Sequence, residues 1–422
     1  MLKNFGKLIT VLVIAFSLFV LVGCTKEETI SFADENLTMV VGDEETLAPV
    51  LSDEALEVVY SAVPADAVTF DGSKITAVKA GTVTVTATIK DTKISATLTV
   101  TITEPVVKTY AADGVYTAFE AGDNHGAPMV TTVSVTIADD EIVSFFIDCV
   151  QSTAVKTEEV VTDYKFNEKS KKELGYLYGM HNTPNAEFEY ERQDLTTTEG
   201  LAAYEAYLEE SGKLEWFEQA ALIEAHFVAN GTTLELDETT EAITNVAGVT
   251  VKDGSYSKLA AEAVQNAIDG KVISVMASGK HDIIWAEGTV NAEGSLTELE
   301  LNTLQGRMVE GAYAWDAKNK QEKGYLYGMH NSPNAELEYE KQDLTTTEGL
   351  AAYKAYLEEA GKLEWFEQVE LITDYVLENG VAGLVLEGTK LDGSVEALSG
   401  VSITAIGYVT VLNALYTAFP NA

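Results

Sequence analysis

Cysteine, proline and basic residues are scarce in this sequence of 422 residues. Its 2 cysteines are too few for a disulfide scaffold or a cysteine-rich metal site. Lysine and arginine total 27 against 67 acidic residues, so the formal net charge is −40, which excludes a protein that binds the phosphate backbone of nucleic acids. With 46% hydrophobic residues the chain is not of disordered composition. At a typical domain size of about 150 residues, we expect about three domains.

Long hydrophobic runs are also missing, apart from one near the N-terminus. Lys3 and Lys7 precede a largely apolar run of 15 residues at 8–22, shorter than the ~20 residues that span a bilayer. Residues 21–24 (LVGC) then resemble the lipobox of a bacterial lipoprotein. The resemblance implies a signal peptide at 1–23, a diacylglyceryl group on Cys24, and a lipid anchor on the extracytoplasmic face of the membrane. An ordinary signal peptide or an uncleaved anchor is the alternative.

The other cysteine, Cys149, lies in the strand-like run FFIDCVQ. Apolar surroundings of this kind favour a buried, unreactive thiol over a reactive one.

A β-rich segment at 29–103 follows a short tether at 24–28. Thr alternates with Val, Ile or Leu across 81–102, a period of two that predicts strands with one buried face. Several short strands at this spacing predict an all-β sandwich. The run ITAVKAGTVTV at 75–85 resembles group 2 bacterial Ig-like (BIG2) domains, which implies a cell-surface spacer.

The remainder of the chain contains an internal repeat. Residues 175–219 recur at 324–368, and only five of the 45 aligned positions differ. Two copies are too few for a solenoid, so the sequence predicts two tandem α+β domains at 110–270 and 271–422. The second copy is three residues longer, and we place the addition in the loop at 380–396.

Each copy is predicted to begin with strands. In copy 1, 130–137 and 141–147 flank an Asp-Asp pair and predict a β-hairpin. In copy 2, 289–290 and 296–301 flank Glu-Gly and predict its counterpart.

Helices are predicted to follow the strands. Apolar spacing predicts a helical segment over 198–230, interrupted at 211–212. A last helix is predicted at about 255–269 in copy 1 and about 405–419 in copy 2, where the apolar face is broader.

A short turn before each last helix is the main candidate for a binding site. Gly248 in copy 1 is followed two positions later by Thr250, and Gly400 in copy 2 by Ser402, with Ser399 before it. Glycine allows close approach of a ligand to the backbone, and a helix N-terminus offers free N–H groups. The pattern therefore predicts a phosphate-binding turn.

The surrounding sequence strengthens this interpretation, because it resembles the FMN-binding domain family. The resemblance is carried by DGVYTA at 113–118, VSVTI at 133–137 and SGVSIT at 399–404. This domain occurs in subunits of the sodium-pumping quinone reductase and Rnf complexes, and in surface lipoproteins of extracellular electron transfer. Its signature is an acid shortly before Ser-Gly-Ala-Thr, whose last hydroxyl is esterified to FMN by a flavin transferase.

Carried over by position, the resemblance implies that Thr250 and Ser402 accept FMN. The acid of the signature is Glu396 in copy 2 but Thr244 in copy 1, and Ala247 replaces the serine in copy 1. The implied function is a lipid-anchored, extracytoplasmic FMN electron-transfer protein with a quinone-linked donor, an electron carrier more than a catalyst with its own substrate. The alternative is an adhesin-like or ligand-binding surface lipoprotein whose repeats have lost flavin.

Other candidate residues point less clearly to chemistry. His181 and His330 have no second histidine or cysteine at ligand spacing, so no metal site is predicted. Trp216 and Trp365 lie on an apolar helix stripe, which favours the core over a cofactor stack, although a flavin ring could also lie against them.

Overall fold

The computed structural model describes residues 27–104, 108–279 and 282–419. The chain divides into two compact units, Met1–Val107 and Lys108–Ala422. It is thus a multidomain protein that combines many strands with fewer helices. The predicted signal peptide and Cys24 lie outside the described residues. Within the three described ranges, no helix has the length and apolar character needed to cross a membrane.

The N-terminal unit consists of strands, as the alternation in its sequence predicts. Four of them form a sheet in the order β2-β9-β8-β5, and three form a second sheet in the order β3-β7-β6. The inward side chains of β8, such as Val83 and Val85, are fully buried in a single cluster. The strands are β1 (Ile30–Ser31), β2 (Asn36–Val40), β3 (Glu44–Thr46), β4 (Val50–Leu51), β5 (Val58–Val63), β6 (Val68–Asp71), β7 (Lys74–Ala77), β8 (Gly81–Ile89) and β9 (Ser95–Thr103).

The second unit begins repeat 1 with a four-stranded antiparallel meander. Its strands are hydrogen-bonded in chain order. The predicted hairpin is confirmed, with Asp139 and Asp140 at its turn in left-handed backbone conformations. The strands are β10 (Gly114–Asn124), β11 (Ala127–Ala138), β12 (Glu141–Thr157) and β13 (Val160–Phe166).

Four helices complete repeat 1. The helical segment predicted at 198–230 is confirmed with its interruption, and so is the last helix. The last helix packs on the sheet through Leu259 and Ala263, which are fully buried. The helices are α1 (Lys171–Leu174), α2 (Thr198–Ser211), α3 (Trp216–Asn230) and α4 (Tyr256–Asp269).

Repeat 2 has the same order of elements. Its four-stranded meander is again hydrogen-bonded in chain order, and its added loop carries a two-stranded hairpin. Its elements are β14 (Lys271–Ser278), β15 (Asp282–Val290), β16 (Leu296–Val309), β17 (Ala312–Trp315), α5 (Lys320–Lys323), α6 (Thr347–Ala360), α7 (Trp365–Asn379), β18 (Leu386–Glu387), β19 (Lys390–Leu391) and α8 (Ile406–Ala418).

The two repeats share one compact unit. The predicted boundary at 270/271 falls between α4 and β14, but both repeats contribute to one hydrophobic cluster. The ring of Phe419, after α8, packs against Tyr116 of β10 with centroids 4.9 Å apart. On the opposite faces of the sheets, Phe119 meets Trp285 at 5.4 Å. Contacts between the repeats therefore bury apolar surface on both faces of their sheets.

Candidate functional site

The two predicted turns lie at the surface, as a binding site requires. Thr250 and Ser402 are both exposed. The turns do not lead directly into their helices, because α4 begins at Tyr256 and α8 at Ile406. The predicted placement of each hydroxyl at a helix N-terminus is therefore wrong.

A buried glutamine holds each turn. In repeat 1 the Oε1 atom of Gln219 accepts hydrogen bonds from the N–H groups of Thr250 at 2.7 Å and Val251 at 3.1 Å. In repeat 2 the Oε1 atom of Gln368 accepts from Ser402 at 2.7 Å and Ile403 at 3.2 Å. These turn N–H groups are therefore not available to a phosphate, because side chains of α3 and α7 accept their hydrogen bonds.

The glycines of the turns have a packing role. A Cβ atom at Gly248, whose φ is +85°, would lie 3.1 Å from a methyl carbon of Leu222. A Cβ atom at Gly400 would lie 2.8 Å from a methyl carbon of Leu363. Close contact with leucine side chains thus accounts for both glycines without a ligand. The assignment of Gly248, Gly400 and Ser399, which is exposed, to a cofactor stays a prediction.

A cleft lies beside Ser402 in repeat 2. Its volume is about 450 Å³, within the range of small-molecule sites. Strands, α5, α7 and the start of α8 all contribute to its walls. We call it the repeat-2 cleft, and its lining includes Asp282, Lys320, Tyr327, Trp365, Lys390, Ser402 and Tyr408.

Aromatic rings and one lysine form the inner part of this cleft. The Nζ atom of Lys320 lies 4.8 Å from the ring centroid of Tyr327 and 5.4 Å from that of Trp365. The Trp365 Nε1–H group donates to the Tyr408 hydroxyl at 2.9 Å. The Tyr408 hydroxyl is also 2.7 Å from Thr303 Oγ1. These bonds fix the rings, so the cleft has a rigid aromatic wall with a cation against it.

The charge in the cleft is unusual because Lys320 is only 7% exposed. Burial lowers the pKa of Lys320 below its ordinary value, while the nearby Asp282 carboxylate acts in the opposite direction. Ionised lysines are seldom this buried without a partner. The exposed Lys390 and the Ser402 hydroxyl stand at the same cleft. The arrangement suits an anionic group attached to a planar ring.

Repeat 1 contains an equivalent aromatic wall, but some of the residues beside that wall differ. Lys171 lies 5.0 Å from the rings of both Tyr178 and Trp216. Trp216 donates to the Tyr256 hydroxyl at 3.2 Å. At the position of Thr303, this repeat has Cys149, which is buried as predicted. Burial raises the pKa of Cys149 to about 11, so its thiol is not activated.

The histidines support the structure of a turn. The Nε2 atom of His181 lies 3.1 Å from the carbonyl oxygen of Leu214, and His330 makes the same contact with Leu363. Burial lowers the pKa of both histidines below 6.5. Within the described ranges, no group of three or more His, Cys, Asp or Glu side chains is placed to hold a metal ion.

The sequence interpretation missed a buried carboxylate in each repeat. Glu215 is fully buried, accepts from the backbone N–H groups of Met180 and Trp216, and is hydrogen-bonded to the Tyr204 hydroxyl. Glu364 does the same in repeat 2. Both begin a capping box, so the spacing Glu-x-x-Glu at the start of α3 and α7 was the available signal. Because their bonds are satisfied within the fold, we assign them a structural role.

Comparisons with known proteins do not identify a family. No family model matches the chain, and no curated protein matches it. A solution NMR structure of a protein from Clostridium thermocellum, from the Northeast Structural Genomics Consortium, is 20% identical over 37% of this chain and 91% of that chain, with a TM-score of 0.21. A similarity this low says nothing about function.

Proposed function

We propose that this protein is an FMN-binding electron-transfer protein and that the repeat-2 cleft is its flavin site. The supporting observation is the combination in one cleft of a buried lysine, an aromatic wall and the exposed Ser402 hydroxyl. FMN consists of a planar ring system and a phosphate, which match these two kinds of surface.

The residues present fit FMN at the cleft but not at the turn amides. The volume of about 450 Å³ is adequate for a small cofactor. Lys320 and Lys390 supply the positive charge that a phosphate needs, in place of the N–H groups that Gln368 occupies. We therefore assign the phosphate to the lysines and Ser402 instead of to a helix N-terminus.

The residues of the cleft would have distinct roles. Trp365 and Tyr408 would form part of the wall beside the ring, since both line the cleft and are hydrogen-bonded to each other. Lys320 would supply positive charge to the phosphate, and Asp282 would favour the protonated form of this lysine. When bound, FMN accepts and donates one or two electrons, and the surrounding charge and burial set its potential.

Covalent attachment is the stronger form of the proposal. A flavin transferase would join Ser402 Oγ to the FMN phosphorus of FAD, with loss of the hydroxyl proton and AMP as the leaving group. Ser402 Oγ is exposed and its contact with Gln368 is a long 3.3 Å, so the hydroxyl is accessible. Thr250 has the same geometry in repeat 1, where its hydroxyl is also 3.3 Å from Gln219.

The rest of the chain fits a surface location. We propose that the N-terminal unit is an Ig-like spacer of the group 2 bacterial type, supported by its two main sheets and single core. With a lipid on Cys24, the chain would be anchored to the membrane on the extracytoplasmic side. The donor would be linked to membrane quinones, and the net charge of −40 would favour basic docking partners.

Titration with FMN tests the site. We expect FMN to bind with a red-shifted absorption spectrum and quenched flavin fluorescence, because its ring enters an aromatic cleft. K320Q should weaken binding at least about tenfold, since it removes a buried charge of the site. The matched variant K171Q in repeat 1 should leave this binding unchanged. The proposal would be overturned if K320Q and K171Q lost FMN affinity equally, or if the unmodified protein caused no change in the FMN spectrum.

Intact mass tests the attachment. After coexpression with a flavin transferase, we expect a mass increase of one FMN unit that S402A abolishes and T250A retains. A mass increase that persists in S402A would assign the ester to another residue and contradict the role of Ser402.

A surface lipoprotein that binds a ligand without flavin is the second candidate. The observation in its favour is that Gln219 and Gln368 satisfy the turn amides in both repeats, so the turns are complete without a phosphate. An unmodified mass together with an unchanged FMN spectrum would favour this candidate.

A further inference from the structure

A second open groove lies in repeat 1, formed by α2, the loop after it and the start of α3. Its volume is about 670 Å³. The groove combines one aromatic ring with several acidic side chains. Its lining includes Tyr176, Glu205, Glu209, Lys213 and Glu218.

The Tyr176 ring is held firmly in this groove. Its edge-to-face contact with Phe217 has centroids 5.1 Å apart, and its hydroxyl donates to Glu218 Oε1 at 3.2 Å. Glu205 and Glu209 are exposed, and within the described ranges neither side chain forms an ion pair or a hydrogen bond. The groove thus presents a fixed ring beside two unneutralised carboxylates.

Repeat 2 shows what this ring accepts. Tyr325 and Phe366 reproduce the ring pair at 4.9 Å, and the Tyr325 hydroxyl donates to Glu367 at 2.8 Å. The residue equivalent to Glu205 is Lys354, one of the five differences between the 45-residue segments. Its Nζ atom lies 4.2 Å from the centroid of the Tyr325 ring. In repeat 2 an ammonium group of the chain itself therefore occupies the ring face.

The basic residue of the repeat-1 groove does not take this place. The Lys213 Nζ group donates to the Tyr207 hydroxyl at 2.6 Å and lies 5.1 Å from the Tyr207 ring. It is thus directed to a different tyrosine. Among the described residues, no cationic side chain of repeat 1 lies against the Tyr176 ring as Lys354 lies against the Tyr325 ring in repeat 2.

We infer that the repeat-1 groove binds an organic ammonium group, such as that of a diamine or a lysine side chain, in the position that Lys354 fills in repeat 2. The ammonium would lie on the Tyr176 ring with Glu205 and Glu209 as counter-charges, which combines a cation–π contact with Coulomb attraction. The site is separate from the proposed flavin cleft and does not depend on it.

Calorimetric titration of the full chain with putrescine tests this inference. At 0.15 M salt, nonspecific attraction to the acidic surface is screened. We expect one site in the unmodified protein and at least about tenfold weaker binding in E205K, which supplies the internal cation. The control E210K makes the same charge change at an exposed position of α2 outside the groove and should leave the affinity within about twofold.

The reciprocal variant makes the test stricter. K354E frees the Tyr325 ring and adds a carboxylate, so the number of putrescine sites should rise from one to two. Equal weakening in E205K and E210K would show a general charge effect and overturn the inference. Unchanged stoichiometry in K354E, or no binding to the unmodified chain, would overturn it as well.

Discussion

The two repeats show which parts of this unit tolerate change. Residues 175–219 and 324–368 are identical at all but five of 45 positions, whereas the strands beneath them differ widely. In repeat 1, Lys172 pairs with Glu224, and both side chains are largely buried. The equivalent residues in repeat 2 are the uncharged Gln321 and Thr373. In repeat 1 an ion pair therefore joins α1 to α3, and its Glu224 accepts from Ile147 of the sheet. In repeat 2 Gln321 instead donates a neutral hydrogen bond to the Leu301 carbonyl of the sheet.

This contrast separates the scaffold from the surfaces that can specialise. The buried glutamate and the glutamine that holds the turn make the same bonds in both repeats, which points to a shared structural role. Among the residues that differ, Lys354 takes the place of Glu205 of the repeat-1 groove, and Ser402 of the repeat-2 cleft takes the place of Thr250. Each repeat thus keeps its internal supports while offering a different surface to ligands.

The largest expected effect comes from breaking the buried ion pair of repeat 1. K172M removes the partner of Glu224, which also accepts from the Ile147 N–H group at 2.6 Å. We expect a loss of about 3 kcal/mol in the free energy of unfolding, because a partly buried carboxylate loses its counter-charge. Urea denaturation of the full chain measures this loss.

Two further variants sharpen the comparison. K172Q/E224T copies the residues of repeat 2 and should recover most of the stability. Q321M removes the hydrogen bond from Gln321 to the Leu301 carbonyl at 3.0 Å and should cost only about 1 kcal/mol. If K172M proved as mild as Q321M, the ion pair would have no special role.

The glutamines that hold the turns should matter equally in both repeats. Q219L or Q368L leaves two backbone N–H groups without their acceptor, and we expect a loss of about 2 kcal/mol from each. Q219E and Q368E keep the acceptor but lose the Nε2 donation to the Leu214 and Leu363 carbonyls, and they bury a carboxylate, so they should be no milder. Urea denaturation measures whether Q219L and Q368L lower the free energy of unfolding equally. A loss of stability in only one of these variants would contradict the shared role of the turns.

The histidines give the smallest effect. Burial lowers the pKa of His181 and His330 in the folded protein, so the unfolded chain binds the proton more tightly. Their contribution to stability is present above pH 6.5 and is lost as the pH falls through 6.5 towards the folded pKa. The drop in unfolding free energy between pH 7.5 and pH 5.5 should therefore be smaller in H181Q/H330Q than in the unmodified protein. An identical drop would contradict this account.

Local sequence patterns predicted the elements but not how they meet. Alternation and helical spacing located β8, the 139–140 hairpin turn and the last helices because these depend on neighbouring residues. The bond from Gln219 to Thr250 spans 31 residues, and no local pattern encodes it. Lys320 and Asp282 likewise meet only after β15 and α5 have folded together, so the sequence pointed to Ser402 but not to the cleft beside it.

FMN titration of the unmodified protein and of K320Q and K171Q tests the central claim most directly. The account predicts flavin binding that K320Q weakens at least about tenfold and K171Q leaves intact, because the buried Lys320 belongs to the repeat-2 cleft. Absence of flavin binding, or equal sensitivity to the two substitutions, would contradict it.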